Sequence, residues 1–420
     1  MDSPATANHR RPLIIVTTLF FMWGFLTSLN DILVPHLKSI FELTYTQVML
    51  VQFAFFSAYF LFSTPWSKIV NALGYQKTMV VGLVIMGAGA ILFVPAASTP
   101  SFGLFLTALV VLALGITGLQ VAANPYVIVL GKPETASSRL NLTQAFNSLG
   151  TTLAPIIGGL LILNAAPLAA EQLRQLSSPA LIAYRVQQAA SVKMPYIIIS
   201  TTLALLAVTI ACSNLPKVEE AGETSRQRAK DSIWKHPNLI FGAVGIFAYV
   251  GAEVSIGSFL VNYLGQSDIG GLAPASAAKY VSFYWGGAML GRFVGAWVLQ
   301  RAKTSYLLGG CAVFSAALVM TSMLTHGDVA MWTMIAVGLF NSIMFPNIFA
   351  LGIAGLGPLT SKGSGLIMTA VVGGAIVPLL LGAAADQIGI QHALIIPALC
   401  YVYIAFYGFV GSRPSRTVTA

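Results

Sequence analysis

Twelve long apolar windows run along the chain, with approximate limits 13–34, 48–70, 77–96, 102–125, 140–163, 194–212, 237–262, 277–298, 306–325, 330–353, 362–385 and 390–411. Each is bounded by Pro, Gly or charged residues. A bilayer core of roughly 30 Å takes about 20 apolar residues per helical crossing, so each window predicts one transmembrane helix. The windows are apolar all round rather than alternating over about 10 residues, which excludes a transmembrane β-barrel. Ahead of the first window, His9, Arg10 and Arg11 imitate the start of a signal peptide. The run from Leu13 to Val34 is too long for one, and no small-residue cleavage site follows, so it reads as a retained first span. The predicted fold class is all-α integral membrane.

Composition agrees: 56% of the 420 residues are hydrophobic and 8% charged, against about 25% charged in soluble domains, which excludes a soluble enzyme. A net charge of +9 would suggest nucleic acid in a soluble protein, but beside membrane spans Lys and Arg report topology first. With the N-terminus inside, one set of loops and tails takes 17 of the 22 basic residues, among them Lys68, Lys77, Lys132, Arg139, Arg292, Arg301 and Lys303. The expectation is an inner-membrane, multi-pass protein with both termini cytoplasmic and no nucleic-acid partner. Cys212, Cys311 and Cys400 fall in three different spans without CxxC or CxxH spacing and read as packing residues.

The least apolar long segment, Ser213 to His236, reads as a cytoplasmic linker between the sixth and seventh spans. It divides the chain into an N-terminal six-helix bundle, 1–212, a linker, 213–236, and a C-terminal six-helix bundle, 237–420. The halves carry a weak repeat of the kind common in transporters. An offset of 223 takes Gly115 to Gly338, and the same offset takes Gly150, Pro155 and Gly159 to Gly373, Pro378 and Gly382.

Two of the 13 carboxylates stand out for falling inside apolar windows. Asp31 lies near the outer part of the first span, flanked by Asn30 and Ser28 and with Thr27 one turn back. Glu253 lies mid-span in the seventh. A bare charge at the bilayer centre costs at least about 2.5–3.5 kcal/mol, so such a group faces a cavity or a partner. Both are candidate cation-coupling residues, with a helix-end Asp and an interhelical hydrogen bond as the structural alternatives. A second polar cluster joins Gln120 and Asn124, four apart, to Asn141, Gln144, Asn147 and Ser148 at spacings of three and four. Amides donate and accept at once, which suits a neutral polyol; interhelical glue is the alternative reading. Trp23, Phe146, Tyr263, Tyr284, Trp285 and Phe345 lie near these stripes and can offer apolar faces to a sugar ring; lipid-facing or core packing is the alternative reading. Asn30, Gln120, Asn124, Gln144, Asn147, Tyr284 and Asn341 are the candidate sugar contacts. Pro125 and Pro346 are mid-helix breakers that free backbone groups. There is no GxxxxGK[ST] phosphate loop, and the five histidines are scattered without metal spacing. No cofactor is expected beyond a coupling ion, H+ or Na+.

Four stretches, Asn30-Asp31-Ile32-Leu33, Ala123-Asn124-Pro125-Tyr126, Arg139 to Ser148 and Phe345-Pro346-Asn347-Ile348-Phe349, resemble the fucose permease and glucose/galactose transporter family of the major facilitator superfamily. The resemblance covers nearly the whole chain. It implies twelve helices in two pseudo-symmetric bundles, alternating access to a central sugar site, and a monomer. It also implies proton coupling at Asp31, and sugar contacts at Gln144 and Asn147. A second acidic residue used by fucose permeases, just before Ala-Ala-Asn-Pro, is Gln120 here, which looks more like the glucose/galactose or amino-sugar side of the family. The superfamily's basic motif between helices two and three is reduced to Gly74 and Lys77. The expected function is secondary active import of a hexose by cation symport. A passive uniporter, a carrier of fucose or N-acetylglucosamine, and a non-transporting sensor are the alternatives.

Overall fold

The computed structural model describes residues 10–41, 45–98, 101–162, 193–216 and 232–413, with short pieces between 175 and 184. Side chains at 10, 29–41, 45–52, 97–98, 155–162, 274, 275 and 278 are outside the description. The N-terminal half comprises α1 (Arg10–Phe41), α2 (Tyr45–Ser98), α3 (Phe102–Val129), α4 (Ala136–Ile162) and α5 (Lys193–Cys212). The C-terminal half comprises α6 (Pro237–Leu264), α7 (Pro274–Val298), α8 (Thr304–Leu324), α9 (Gly327–Asn341), α10 (Met344–Ile353), α11 (Thr360–Thr369), α12 (Gly373–Ile388), α13 (Ile390–Ala393) and α14 (Ile395–Phe406).

All twelve apolar windows are helical. Windows 48–70 and 77–96 both fall in α2, separated at Gly74 by φ 78° and ψ 169°, a conformation that glycine alone adopts at little cost. Window 330–353 is broken into α9 and α10 at Ser342 and Ile343, and window 362–385 into α11 and α12 by a tight turn at Ala370–Val372. Among the described residues, nine helical stretches are long and apolar enough to cross a membrane. The windows outside those nine are 48–70, 140–163 and 277–298. The last forms α7, whose apolar run is interrupted by Lys279 and Arg292; the first two lie partly outside the described side chains.

Packing repeats between the halves. In the first, α1 lies on α4, and α2 lies on α3 and α5; in the second, α6 lies on α12, α7 on α9, and α8 on α14. The repeat reaches single glycines: Gly150 of α4 sits against the Phe21 carbonyl of α1, and Gly373 of α12 against the Phe247 carbonyl of α6, with no room for a Cβ at either. Lipid offers no hydrophobic drive for helices to associate, so backbone approach over small residues supplies the contact instead. Gly115 and Gly338 are equally tight, but Gly115 meets Gly82 and Met86 of α2 whereas Gly338 meets Tyr284 of α7. For that pair the sequence repeat does not extend to the neighbour.

The halves meet along two lines, α4 against α7 and α2 against α11. One end of the bundle carries Lys77, Lys132, Arg301, Lys303 and Lys362 on or beside its helix ends and is called the basic end below.

Candidate functional site

The interface is built from one face of α4. Ser137, Asn141, Gln144 and Ser148 follow one another at three- and four-residue steps, which stacks them along one side of a helix. Each meets the C-terminal half. From the basic end inward, Thr304 donates to the Ser137 hydroxyl at 3.0 Å, and Asn141 Nδ2 donates to Asn347 Oδ1 at 2.8 Å. Deeper in, Arg292 Nη1 donates to the Gln144 carbonyl at 3.4 Å and also to the Ser148 hydroxyl. Beside this stripe, Ser138 donates to the Ala296 carbonyl at 2.6 Å. On the second line, Ser361 donates to Asn71 Oδ1, and Gly365 packs against Ser63 and Ser67 without room for a Cβ. The halves are therefore sealed by polar bonds towards the basic end.

Both mid-helix prolines take part. A proline lacks the N–H that would bond the carbonyl four residues back, so Pro125 frees Val121 and Pro346 frees Ser342. Ser364 of the opposite half donates to the Val121 carbonyl at 3.0 Å. Arg292 Nε donates to the Ser342 carbonyl at 3.1 Å. That bond is reachable because Gly291 brings α7 against Leu339 and Ser342 with no space for a side chain.

The amides predicted from the sequence separate into groups. Gln120 donates to the Tyr59 hydroxyl at 2.5 Å, and Gln144 donates to Asn124 Oδ1 at 3.3 Å. Asn124 Nδ2 in turn approaches Met368 Sδ of the other half at 3.9 Å. These four polar side chains are all buried. Asn147 points elsewhere, donating to the Phe20 carbonyl of α1 at 2.9 Å, and so ties two helices of its own half together. In the C-terminal half, Asn341 donates to the Tyr284 hydroxyl at 3.1 Å, and its own Oδ1 is a buried acceptor without a partner among the described residues. Glu253 is half-buried beside this pair: Tyr249 donates to its Oε1 at 2.6 Å, and Arg292 Nη2 lies 3.9 Å from the same oxygen. Asn30 and Asp31 lie on α1, and their side chains are outside the described residues.

The structure decides one reading and corrects another. Tyr263 is not at the interface, because its hydroxyl bonds Ser322 of the peripheral helix α8, at 2.7 Å to the hydroxyl and 3.0 Å to the carbonyl. Arg292 is not a loop cation: it lies six residues inside α7, about 9 Å from that helix end at 1.5 Å per residue, and its guanidinium points into the bundle. Its place inside window 277–298 was the signal that charge sorting passed over. Tyr59, which positions Gln120, carried no such signal, since a tyrosine in an apolar window is ordinary. Among the aromatics, Phe345 packs on Tyr249, ring centroids 6.2 Å apart, and Phe146 meets Phe293 across the interface at 5.8 Å. Trp23 is buried against Phe20. Cys212 is exposed, and Cys311 and Cys400 are half-buried free thiols.

A cavity of about 1040 Å³ opens at the basic end, lined by Asn71, Lys77, Tyr126, Pro133, Thr304 and Ser361 among others. None of the candidate sugar contacts lines it. Two of the sealing pairs, Ser137 with Thr304 and Asn71 with Ser361, form part of its wall. No group of His, Cys, Asp and Glu suited to a metal occurs among the described residues.

A family model described as the Major Facilitator Superfamily matches residues 15–378. The chain belongs to the Major Facilitator Superfamily. Within the superfamily it is 49% identical over 412 residues to a glucose/galactose transporter of Brucella abortus, covering 98% of this chain and 97% of that one. It is 33% identical over 413 residues to the L-fucose-proton symporter of Escherichia coli, covering 97% and 94%. Among solved structures, the superfamily transporter FucP in the outward conformation superposes with a TM-score of 0.88 at 33% identity, covering 94% of this chain and 97% of that one.

Proposed function

We propose that this chain is a secondary active transporter that imports glucose, galactose or a closely similar hexose by cation symport. The observation that carries the reading is the pairing of that relationship, along nearly the full length, with buried uncharged polar groups in both halves: Gln120, Asn124 and Gln144 in one, Asn341 and Tyr284 in the other. Buried amides and phenols offer donors and acceptors without net charge, which is what a sugar's hydroxyls need. Asn147 and Asn30 flank this set on α4 and α1. In this reading 1–212 and 237–420 are the two moving bodies and 213–236 the tether. The basic end faces the cytoplasm by the positive-inside rule, so both termini are cytoplasmic and the sealing bonds close the inner gate of a carrier in the inner membrane. The carrier works as a monomer.

Asp31 is the coupling carboxylate, loaded from outside with a proton or a sodium ion. Loading neutralises the first span and favours the conformations that reorient. Gln120, standing where fucose permeases carry an acid, favours a second reading in which the carrier is a uniporter. Uptake of labelled glucose and galactose into proteoliposomes, under an imposed proton gradient or an imposed sodium gradient, separates the two. Accumulation with one ion, abolished in Asp31→Asn while counterflow persists, is the expected result. Equilibration without accumulation under both gradients makes the protein a uniporter.

A further inference from the structure

The guanidinium of Arg292 is shared between the halves. On the side of α4 its partners, the Ser148 hydroxyl and the Gln144 carbonyl, are uncharged. On its own side it has the Ser342 carbonyl and, at 3.9 Å, the Glu253 carboxylate. That distance is about 1 Å longer than a charge-assisted hydrogen bond. Tyr249 supplies Glu253 with a donor meanwhile, and Tyr284 and Tyr401 are the other titratable groups facing the carboxylate.

Opening the basic end requires α4 to leave α7. Arg292 then loses two acceptors at once, within the bundle, where an uncompensated charge is costly. Glu253 belongs to α6, in the same half as α7, and travels with Arg292. A closing movement of about 1 Å turns the present loose ion pair into a direct one.

We propose that Arg292 is a latch between the halves and that Glu253 is the counter-ion that receives it when the latch opens. Glu253 thus acts as a positioning residue for Arg292 rather than as a carrier of the transported cation. The inference rests on the transport reading only for its purpose; the latch itself is a property of the two open states.

The test reads opening without sugar. Ser364 is fully buried in the seal, so alkylation of Ser364→Cys by N-ethylmaleimide, with Cys212, Cys311 and Cys400 replaced by Ser, reports how often the basic end opens. Adding Glu253→Gln should slow alkylation by at least about threefold, because the open state is left with an unpaired guanidinium. Adding Ser148→Ala or Arg292→Gln should speed it by at least about threefold, and Glu253→Gln with Arg292→Gln should be faster than Glu253→Gln alone. A Glu253→Gln rate equal to or above the reference overturns the proposal, as does a double variant no faster than the single. Ser148→Ala carries the clamp side of the test if Arg292→Gln does not fold. Absence of glucose or galactose counterflow in the unmodified protein would refute the transport reading alone, since the alkylation rates need no substrate.

Discussion

The Ser364 hydroxyl donates, at 3.0 Å, to the Val121 carbonyl oxygen, an acceptor that Pro125 leaves without its intrahelical partner. A backbone group freed by a proline in one half thus becomes a socket for a side chain of the other. Ser364→Ala leaves that buried carbonyl unsatisfied at about 1–3 kcal/mol. The thermal midpoint in detergent should fall. In a Pro125→Ala background, where residue 125 regains an N–H for Val121, the same substitution should cost markedly less. Equal losses in both backgrounds would separate the serine from the proline.

Gly150 and Gly373 predict a matched pair of effects. Each lies against a carbonyl of the first helix of its half, with no room for a Cβ, so Gly150→Ala and Gly373→Ala should each destabilise the protein by about 1–3 kcal/mol through overpacking. Gly310→Ala, inside α8 at a position with open space around it, is the control and should keep or raise the melting temperature, since Ala favours the helix over Gly.

Gln120→Ala removes the donor to Tyr59, a buried phenol. The unpaired phenol should lower the thermal midpoint, while loss of a sugar contact should raise the dissociation constant for glucose by about 10-fold to 100-fold, equivalent to about 1.4–2.8 kcal/mol. Isothermal titration of the purified variant measures it. Unchanged affinity would take Gln120 out of the sugar site and leave it as a strut for Tyr59.

Tyr263→Phe and Asn341→Leu should divide stability from affinity. Tyr263 bonds Ser322 far from the interface, so its loss should lower the thermal midpoint by an amount corresponding to about 1 kcal/mol while leaving sugar affinity as it was. Asn341 presents a buried acceptor without a protein partner among the described residues, and Asn341→Leu should weaken glucose binding at least about 10-fold. Titrations of both variants against glucose give the comparison.

Read by itself, the chain determined the type of its spans, the all-helical membrane fold and the family. Those properties are local: an apolar window of sufficient length must be a helix in a bilayer, because no water is present to satisfy its backbone. Tertiary structure decided which polar groups meet. The Asn141 and Ser148 side chains face the opposite half, whereas on the same helix Gln144 turns to Asn124 of α3 and Asn147 to Phe20 of α1. Arg292 spans the interface rather than lying in a loop, and Tyr263 packs against α8 of its own half. The physical reason is that a helix apolar on every side has no intrinsic preferred rotation. Its neighbours set that rotation, through close approaches such as Gly150 on Phe21 and Gly291 on Ser342, and the rotation decides which side chains face the site.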